Sequence, residues 1–108
     1  MVEYTLRLDL IFGSLADPTR RDIIKRVSLK EQTVSEVAKH YKISLAAISK
    51  HLKILERAHL IQKRQNGRQQ LIKATPATFK SVQDYAAQYE RLWNKRFDAL
   101  ETYLKKEG

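Results

Sequence analysis

The chain has 108 residues, 43% hydrophobic and 31% charged, a balance typical of a single folded domain rather than a disordered segment. It contains no cysteine, which excludes disulfides, thiolate metal ligands and cysteine-based redox sensing. No apolar run is long enough to cross a bilayer, and the N-terminal MVEYTLRLDL lacks a signal-peptide pattern. We therefore expect a cytoplasmic protein that does not bind a membrane.

The net charge of +9 is concentrated in one segment. Residues 42–73 hold eight Lys and Arg against one acidic residue, Glu56, whereas residues 1–41 hold seven against six and residues 74–108 hold six against five. Seven of the nine excess charges therefore lie in less than a third of the chain. Such a local excess favours a polyanionic partner, and double-stranded DNA is the one we predict.

Two helices are predicted before this basic segment. In residues 4–15 the apolar residues recur at helical spacing: Leu8, Ile11, Phe12 and Leu15. The pair Asp17-Pro18 then predicts the start of a second helix, because Asp is a favourable N-cap and Pro is tolerated at the first helical position.

Residues 33–58 have the pattern of two short helices joined by a tight turn. Thr33 and Glu36 form a capping box for the first of these helices, and Ser44 is a favourable N-cap for the second, which runs to about Ala58. Helical spacing turns Ile48, Leu52 and Leu55 inward. It leaves another face that is small, polar and basic: Ala46, Ser49, Lys50 and Lys53. This pattern predicts a helix-turn-helix whose second helix, the recognition helix, enters the major groove of DNA.

Residues 60–73 read as two strands joined at Asn66-Gly67, a pair suited to a two-residue turn. A basic hairpin after a helix-turn-helix indicates a wing. His59 stands where the chain needs a left-handed residue to leave the recognition helix, a conformation that His adopts more readily than most residues.

Thr75-Pro76 starts a final helix, predicted over residues 76–105. Its apolar residues recur at spacings of three or four: Phe79, Val82, Ala86, Tyr89, Trp93, Phe97, Leu100 and Leu104. Thirty helical residues span about 45 Å, whereas a domain of this size has a radius of gyration near 13 Å. We therefore expect a second copy to cover the stripe across a two-fold axis, with packing inside one chain as the alternative.

These elements predict a mainly α fold with a small β-hairpin, in which residues 1–108 form one winged helix-turn-helix domain. The order is four helices, two strands and a fifth helix, with the homodimer formed through the helices at 4–15 and 76–105. The predicted dimer interface comprises Leu8, Phe12, Phe79, Val82, Ala86, Tyr89, Trp93, Phe97 and Leu100.

The predicted DNA-binding residues come from the recognition helix and the wing: Ser44, Leu45, Ala46, Ala47, Ser49, Lys50, His51, Lys53, Lys63, Arg64, Asn66, Gly67 and Arg68. Lys50 could read guanine, Ser49 could bond a base or a phosphate, and Leu45 with the alanines could contact thymine methyl groups. The other cations would bind phosphate, or in the case of Arg68 the minor groove. His51 either reaches a phosphate or packs beside the helix.

The chain resembles the ArsR-type winged-helix transcriptional repressors over nearly its whole length. Four stretches carry the resemblance in the same order: LADPTRR at 15–21, TVSEVA at 33–38, ISKHLKILE at 48–56 and NGR at 66–68. It is most similar to the metal-independent branch that has this Asp-Pro-Thr-Arg-Arg start and a tryptophan in the last helix. The resemblance implies a homodimer joined by its first and last helices, operator binding, and repression relieved by some signal.

The departures from the family pattern are informative. Metal-sensing members carry a Cys-x-Cys pair where this chain has Thr33 and Ser35, and the last helix here contains no histidine. We therefore expect no metal site and no cofactor. His59 replaces the glycine that is usual in the family.

Other classes of protein make different predictions. A winged helix used as a protein-interaction module would carry an apolar recognition face, and a nonspecific architectural binder would not distinguish its site from random DNA. An enzyme would need a phosphate loop, a nucleophile-base pair or paired carboxylates, and the sequence contains none, so no catalytic residue is predicted. A small-molecule effector could lie between the first and last helices against Tyr85, Tyr89 and Trp93.

Overall fold

A computed structural model of the chain describes the backbone of residues 2–107 and the side chains of residues 7–107. The elements, in chain order, are α1 (Val2–Leu15), α2 (Pro18–Leu29), β1 (Gln32–Thr33), α3 (Val34–Ala38), α4 (Leu45–Arg57), β2 (Ile61–Asn66), β3 (Gln69–Ala74) and α5 (Pro76–Glu107). They form two compact units, residues 1–78 and residues 79–108.

The predicted winged helix-turn-helix is confirmed, with one strand added. The two wing strands β2 and β3 pair antiparallel, and the short β1 pairs with the other edge of β3, giving the sheet order β1-β3-β2. Helix α3 is also short, because it ends at Ala38 and leaves Tyr41 in the turn before α4.

The wing turns one residue later than predicted. Asn66 pairs with Gln69, so the two-residue loop is Gly67-Arg68 rather than Asn66-Gly67. Gly67 has φ +64°. Because Asn66 ends β2 and Gly67 alone provides positive φ, the loop follows the type II′ pattern, which places glycine at its first position.

The core of the first unit is formed by α1, α2, α3, α4 and the sheet. Its fully buried large side chains are apolar apart from one serine: Ile11, Ile23, Ile48, Leu52, Leu55, Leu60, Ile61, Ile72, Val37 and Ser14. Ser14 satisfies its hydroxyl by donating to the carbonyl oxygen of Ile11 at 2.8 Å. At about 25 cal/mol per Å² of buried apolar surface, these side chains are the main source of the unit's stability.

The predicted helix ends are confirmed by their hydrogen bonds. The Asp17 carboxylate caps α2 by accepting from the backbone N–H of Arg20 at 3.0 Å, and this bond lowers the pKa of Asp17. Thr33 and Glu36 form the reciprocal capping box of α3, with both bonds at 3.1 Å. Each cap satisfies a backbone donor that the helix itself leaves unpaired.

Helix α4 ends at the left-handed residue predicted from the sequence. His59 has φ +59°, and the backbone N–H groups of His59 and Leu60 donate to the carbonyl oxygens of Glu56 and Leu55. This pair of bonds is a Schellman motif. The carbonyl of His59 also accepts from the Thr78 hydroxyl, which fixes the corner from which the wing leaves.

The second unit consists of α5 from Phe79 onward. From Tyr89 onward its large apolar side chains are half or more exposed, from 50% for Tyr89 to 59% for Phe97 and Leu104. No helix within the described residues is both long and apolar enough to span a membrane.

Candidate nucleic-acid interface

The recognition helix α4 is held by its apolar face. Ile48, Leu52 and Leu55 are each at most 1% exposed, and Ser44 caps the helix by accepting from the Ala47 backbone N–H at 3.1 Å. Because these three side chains fix the rotation of α4 about its axis, the opposite face is turned outward.

That outward face carries the small and basic residues predicted to meet DNA. Ala46, Lys50 and Lys53 are exposed, and Arg57 continues the same line at spacings of 4, 3 and 4 residues. The sequence prediction did not include Arg57, although its helical spacing was visible. Leu45 lies at the start of α4 with 62% of its surface exposed. Together these residues present a cationic face with small side chains near the N-terminal end of the helix.

A polar network fixes the turn that precedes α4. The Tyr41 hydroxyl donates to Asp22 at 2.6 Å, and Arg26 donates to the same carboxylate oxygen at 2.8 Å. These bonds lower the pKa of Asp22, that from Tyr41 contributing most. Burial together with Asp22 raises the pKa of Tyr41 to about 12. The network ties the turn to α2 and so sets the position from which α4 begins.

A second network joins α1, α2 and α4. The Arg20 guanidinium donates to the carbonyl oxygens of Ser14 and Gly13, at 2.7 and 3.3 Å, and so satisfies groups at the end of α1. Its third contact is with His51 Nδ1 at 3.2 Å, and the Asp17 carboxylate lies 4.0 Å from the same nitrogen. Of the two predicted roles of His51, packing beside the helix accounts for these contacts. No spacing pattern around Arg20 predicts this use of its side chain.

The candidate phosphate-binding cations of α4 and the wing fall into two groups. In the wing, Lys63 lies 3.8 Å from Glu56, and Arg64 donates to Glu31 at 3.2 Å. Lys63 is also largely covered, with 19% of its side chain exposed. In contrast, no carboxylate of the described side chains lies within ion-pair distance of four exposed cations on the recognition helix and at the wing loop, Lys50, Lys53, Arg57 and Arg68. These four are the cations most available to phosphate.

A groove of about 250 Å³ separates the start of α3 from the wing. It is lined by Thr33, Val34, Ser35, Arg68, Gln69 and Gln70. Ser35 and Arg68 both line this groove, and a hydroxyl and a guanidinium are each suited to a phosphate oxygen. Ser35 was absent from the predicted DNA-binding residues, because its position at the start of α3 shows no proximity to the wing in the sequence.

The residues predicted for the dimer lie on separate elements of the two units. Leu8 is buried within the first unit, whereas Phe12 is 43% exposed. On α5 the exposure rises along the predicted stripe, from the partly buried Phe79 and Val82 to the exposed Tyr89, Trp93, Phe97 and Leu100. Among the residues described, no group of three or more His, Asp or Glu is placed to hold a metal ion.

A search against protein families matches residues 17–63, which include the helix-turn-helix, to the family described as bacterial regulatory protein, arsR family. Among solved structures, the crystal structure of the ArsR family transcriptional regulator RHA00566 is 34% identical and has a TM-score of 0.79. That match covers 83% of this chain and 93% of the regulator.

Two further proteins are similar over different extents. The transcriptional repressor SdpR of Bacillus subtilis is 37% identical over 57 residues, which cover 53% of this chain and 63% of SdpR. The homodimeric winged helix-turn-helix DNA-binding domain of Mb0332 from Mycobacterium bovis is 18% identical, with a TM-score of 0.67. It covers 84% of this chain and 86% of that domain, and at this identity the likeness concerns the fold.

Proposed function

Since the chain belongs to the ArsR family of bacterial transcriptional regulators, which are DNA-binding winged-helix proteins, we propose that it is a dimeric repressor acting on an inverted-repeat operator. The observation that carries the proposal is the outward face of α4, where small residues are followed by three unpaired cations. Such a face lets the helix backbone approach base edges while its charges bind the flanking phosphates.

We assign the residues of this face separate roles. Lys50 lies near the N-terminal half of α4 and reads a guanine in the major groove, and Ser49 bonds a base or a phosphate beside it. Leu45, Ala46 and Ala47 contact thymine methyl groups. Lys53 and Arg57 lie further along the helix and bind the phosphates at the edge of the groove.

The wing makes the second contact with DNA. Arg68 lies beside Gly67 in the two-residue loop of the wing, where it reaches a phosphate or the adjacent minor groove. Ser35, which lines the same groove, donates a second hydrogen bond to that phosphate. Lys63 and Arg64 contribute less, because each already has an acidic neighbour that a phosphate would have to displace. The more exposed pair, Arg64 with Glu31, is worth about 1 kcal/mol or less, so a phosphate can displace it.

The dimer is proposed from the exposed stripe on α5 and from the exposed Phe12 of α1. Large apolar side chains that are half exposed over several helical turns favour a partner surface. Mb0332 is homodimeric and SdpR is a repressor, and both descriptions agree with the proposal. Two recognition helices related by a two-fold axis would meet successive major grooves about 34–36 Å apart. Repression would follow from exclusion of polymerase.

The assignment of Lys50 and Lys53 can be tested on a matched operator and on one with a single substituted base pair. Lys53→Ala should weaken binding to both duplexes by the same factor, because a phosphate contact carries no sequence information. Lys50→Ala should weaken binding to the matched operator by about 10-fold, or about 1.4 kcal/mol, and much less to the duplex that lacks its guanine. Equal losses for the two variants on both duplexes would refute the division of roles.

The remaining parts of the proposal concern location and control. A regulator that binds chromosomal DNA is expected in the cytoplasm, and we assign the chain no catalytic residue, metal or cofactor. An effector bound near Tyr85, Tyr89 and Trp93 would act on the dimer rather than on α4 directly. Its chemical identity is left open by the proposal.

A further inference from the structure

Two adjacent arginines near the start of α2 make contacts that lie away from the proposed DNA face. The Arg21 guanidinium donates to the carbonyl oxygen of Leu15 at 2.8 Å. The Arg20 guanidinium donates from Nε to the carbonyl of Ser14 at 2.7 Å and from Nη2 to that of Gly13 at 3.3 Å. Both arginines therefore cap the carbonyl end of α1.

Arg20 differs from Arg21 in a third contact, which reaches the recognition helix. Its Nη1 lies 3.2 Å from Nδ1 of His51 on α4. A guanidinium carries only donors, so Nδ1 is the acceptor in this bond, and a neutral imidazole then holds its proton on Nε2. The Asp17 carboxylate is 4.0 Å from Nδ1, too far for a hydrogen bond, and it accepts from the Arg20 backbone N–H instead.

We propose that Arg20 is a positioning residue for DNA recognition, which acts by holding α4 through Nδ1 of His51. This inference rests on the proposed function and deepens it. Two carbonyl groups of α1 hold the guanidinium in place, so its third donor offers α4 a contact at a defined point. His51 thereby contributes to recognition without bonding to a base.

The hydrogen bond supplies a direction that the apolar packing of α4 lacks. Ile48, Leu52 and Leu55 decide which face of the helix is buried, but apolar contact is non-directional and tolerates small rotations. At 100° per residue, His51 lies about 70° to one side of the centre of that buried face. A bond of defined length at this place opposes rotation of α4. Contacts with base edges need placement within about 0.5 Å, whereas attraction to phosphates does not.

The test compares two substitutions that remove the same charge from neighbouring positions. In Arg20→Gln the amide nitrogen stands where Nε of arginine stood, so the variant can keep the bond to Ser14 while losing the contact with His51. Arg21→Gln is the matched control, because the hydrogen bond of Arg21 runs to α1 and not to α4. The probes are the tightest duplex selected from a random-sequence pool and a shuffled duplex of the same length.

The positioning role predicts a loss on one duplex only. Arg20→Gln should weaken binding to the selected duplex by about 10-fold, as when one base contact is misplaced, and change binding to the shuffled duplex by less than about twofold. Partial unfolding, or loss of a phosphate contact, would weaken binding to both duplexes. Arg21→Gln should change binding to either duplex by less than about twofold.

A second arm keeps Arg20 in place and changes the acceptor. Asn and Leu side chains have the same branched shape, but only Asn places an accepting oxygen near the position of Nδ1. His51→Asn should therefore still discriminate between the duplexes, whereas His51→Leu should lose as much as Arg20→Gln. The variant with both Arg20→Gln and His51→Leu should be no weaker than either alone, because the same contact is removed in each. This arm decides the question if Arg20→Gln fails to fold.

Nitrogen-15 NMR of the imidazole rings reports on the contact in the free protein. The spectrum is recorded at about pH 8, where free imidazole is neutral. His51 should show an unprotonated Nδ1 and a protonated Nε2, and Arg20→Gln should give a mixture of the two tautomers. A proton on Nδ1 in the wild type would overturn the assignment.

The outcomes separate the positioning role from the proposed function. Equal losses for the two glutamine variants, or for His51→Asn and His51→Leu, would refute the positioning role and leave the repressor standing. A wild-type chain that binds the selected and shuffled duplexes equally would refute the sequence-specific repressor, and the positioning role with it.

Discussion

Lys53 and Lys63 form a matched pair for testing which cations bind phosphate. Lys53 is exposed on α4 without an acidic neighbour among the described side chains, whereas Lys63 lies 3.8 Å from Glu56 with 19% of its side chain exposed. Both carry the same charge, so Lys53→Ala and Lys63→Ala lower the net charge equally. The structure therefore predicts different effects for two substitutions that composition alone would treat as equivalent.

The magnitude follows from counterion release. Log K falls with log salt by about 0.9 for each phosphate neutralised on B-DNA. A dimer carries two copies of Lys53, so Lys53→Ala should make the slope shallower by about 1.8. When the salt concentration rises fourfold, the factor by which affinity falls should therefore be about 12 times smaller for the variant than for the wild type. Lys63→Ala should change the slope by less than half as much.

The assay is fluorescence anisotropy of a labelled operator duplex at salt concentrations between about 50 and 200 mM, the range in which phosphate contacts dominate the response. Thermal unfolding of both variants serves as the folding control. An unchanged slope for Lys53→Ala would refute the assignment of α4 as the phosphate-binding face. Equal changes for the two variants would refute the argument that acidic neighbours reduce the contribution of the wing cations.

Two further predictions concern stability. Tyr41→Phe removes the 2.6 Å hydrogen bond to Asp22 and should lower the free energy of unfolding in urea by about 1 kcal/mol. Folding raises the pKa of Tyr41 from 10.0 to about 12, so the stability that its hydroxyl contributes is complete below pH 10.0 and is lost as the pH rises towards 12. The difference in unfolding free energy between the variant and the wild type should therefore shrink over that range. A difference that stays constant would contradict the network. His59→Gly should stabilise the protein by about 0.5 kcal/mol, because relief of left-handed strain exceeds the larger entropy loss of glycine. His59→Ala retains the Cβ and should give no such gain in thermal unfolding, and an equal gain would show that strain at φ +59° is not the cause.

The parts of the fold that were predicted correctly depend on local chemistry. The caps at Asp17, Thr33 and Ser44 each involve residues three apart, and the left-handed residue at His59 follows from the end of a single helix. The amphipathic face of α4 likewise depends only on helical spacing. When two interacting residues lie within one helical turn of each other, their spacing in the sequence is enough to predict the interaction.

The parts that were missed depend on residues distant in the chain. Strand β1 has two residues, too few to show alternation, and it exists because β3 offers an unpaired edge nearly 40 residues later. The ion pair between Glu31 and Arg64 spans 33 residues, and the contact between Arg20 and His51 spans 31. No spacing rule relates such positions, so the division of the cations into paired and unpaired groups required the structure.

The wing loop illustrates a smaller error with a local cause. Asn66-Gly67 and Gly67-Arg68 both suit a two-residue turn, and moving the turn by one residue shifts each cross-strand partner by two. The register Asn66–Gln69 also pairs Lys63 with Ile72 and Ile61 with Ala74 on one side of the ribbon. Ile61 and Ile72 are both buried and would share that face in either register, so the alternation of buried residues does not distinguish the two turns.

The central claim is that two recognition helices of one dimer occupy neighbouring major grooves. Methylation interference tests it most directly, because methylation of guanine N7 blocks contacts on the major-groove edge. The duplex would be the tightest binder selected from a random-sequence pool. The account predicts two clusters of interfering guanines separated by about 10 base pairs, with their centres related by the symmetry of the site. A single cluster, or tight binding with no interference at any guanine N7, would contradict it.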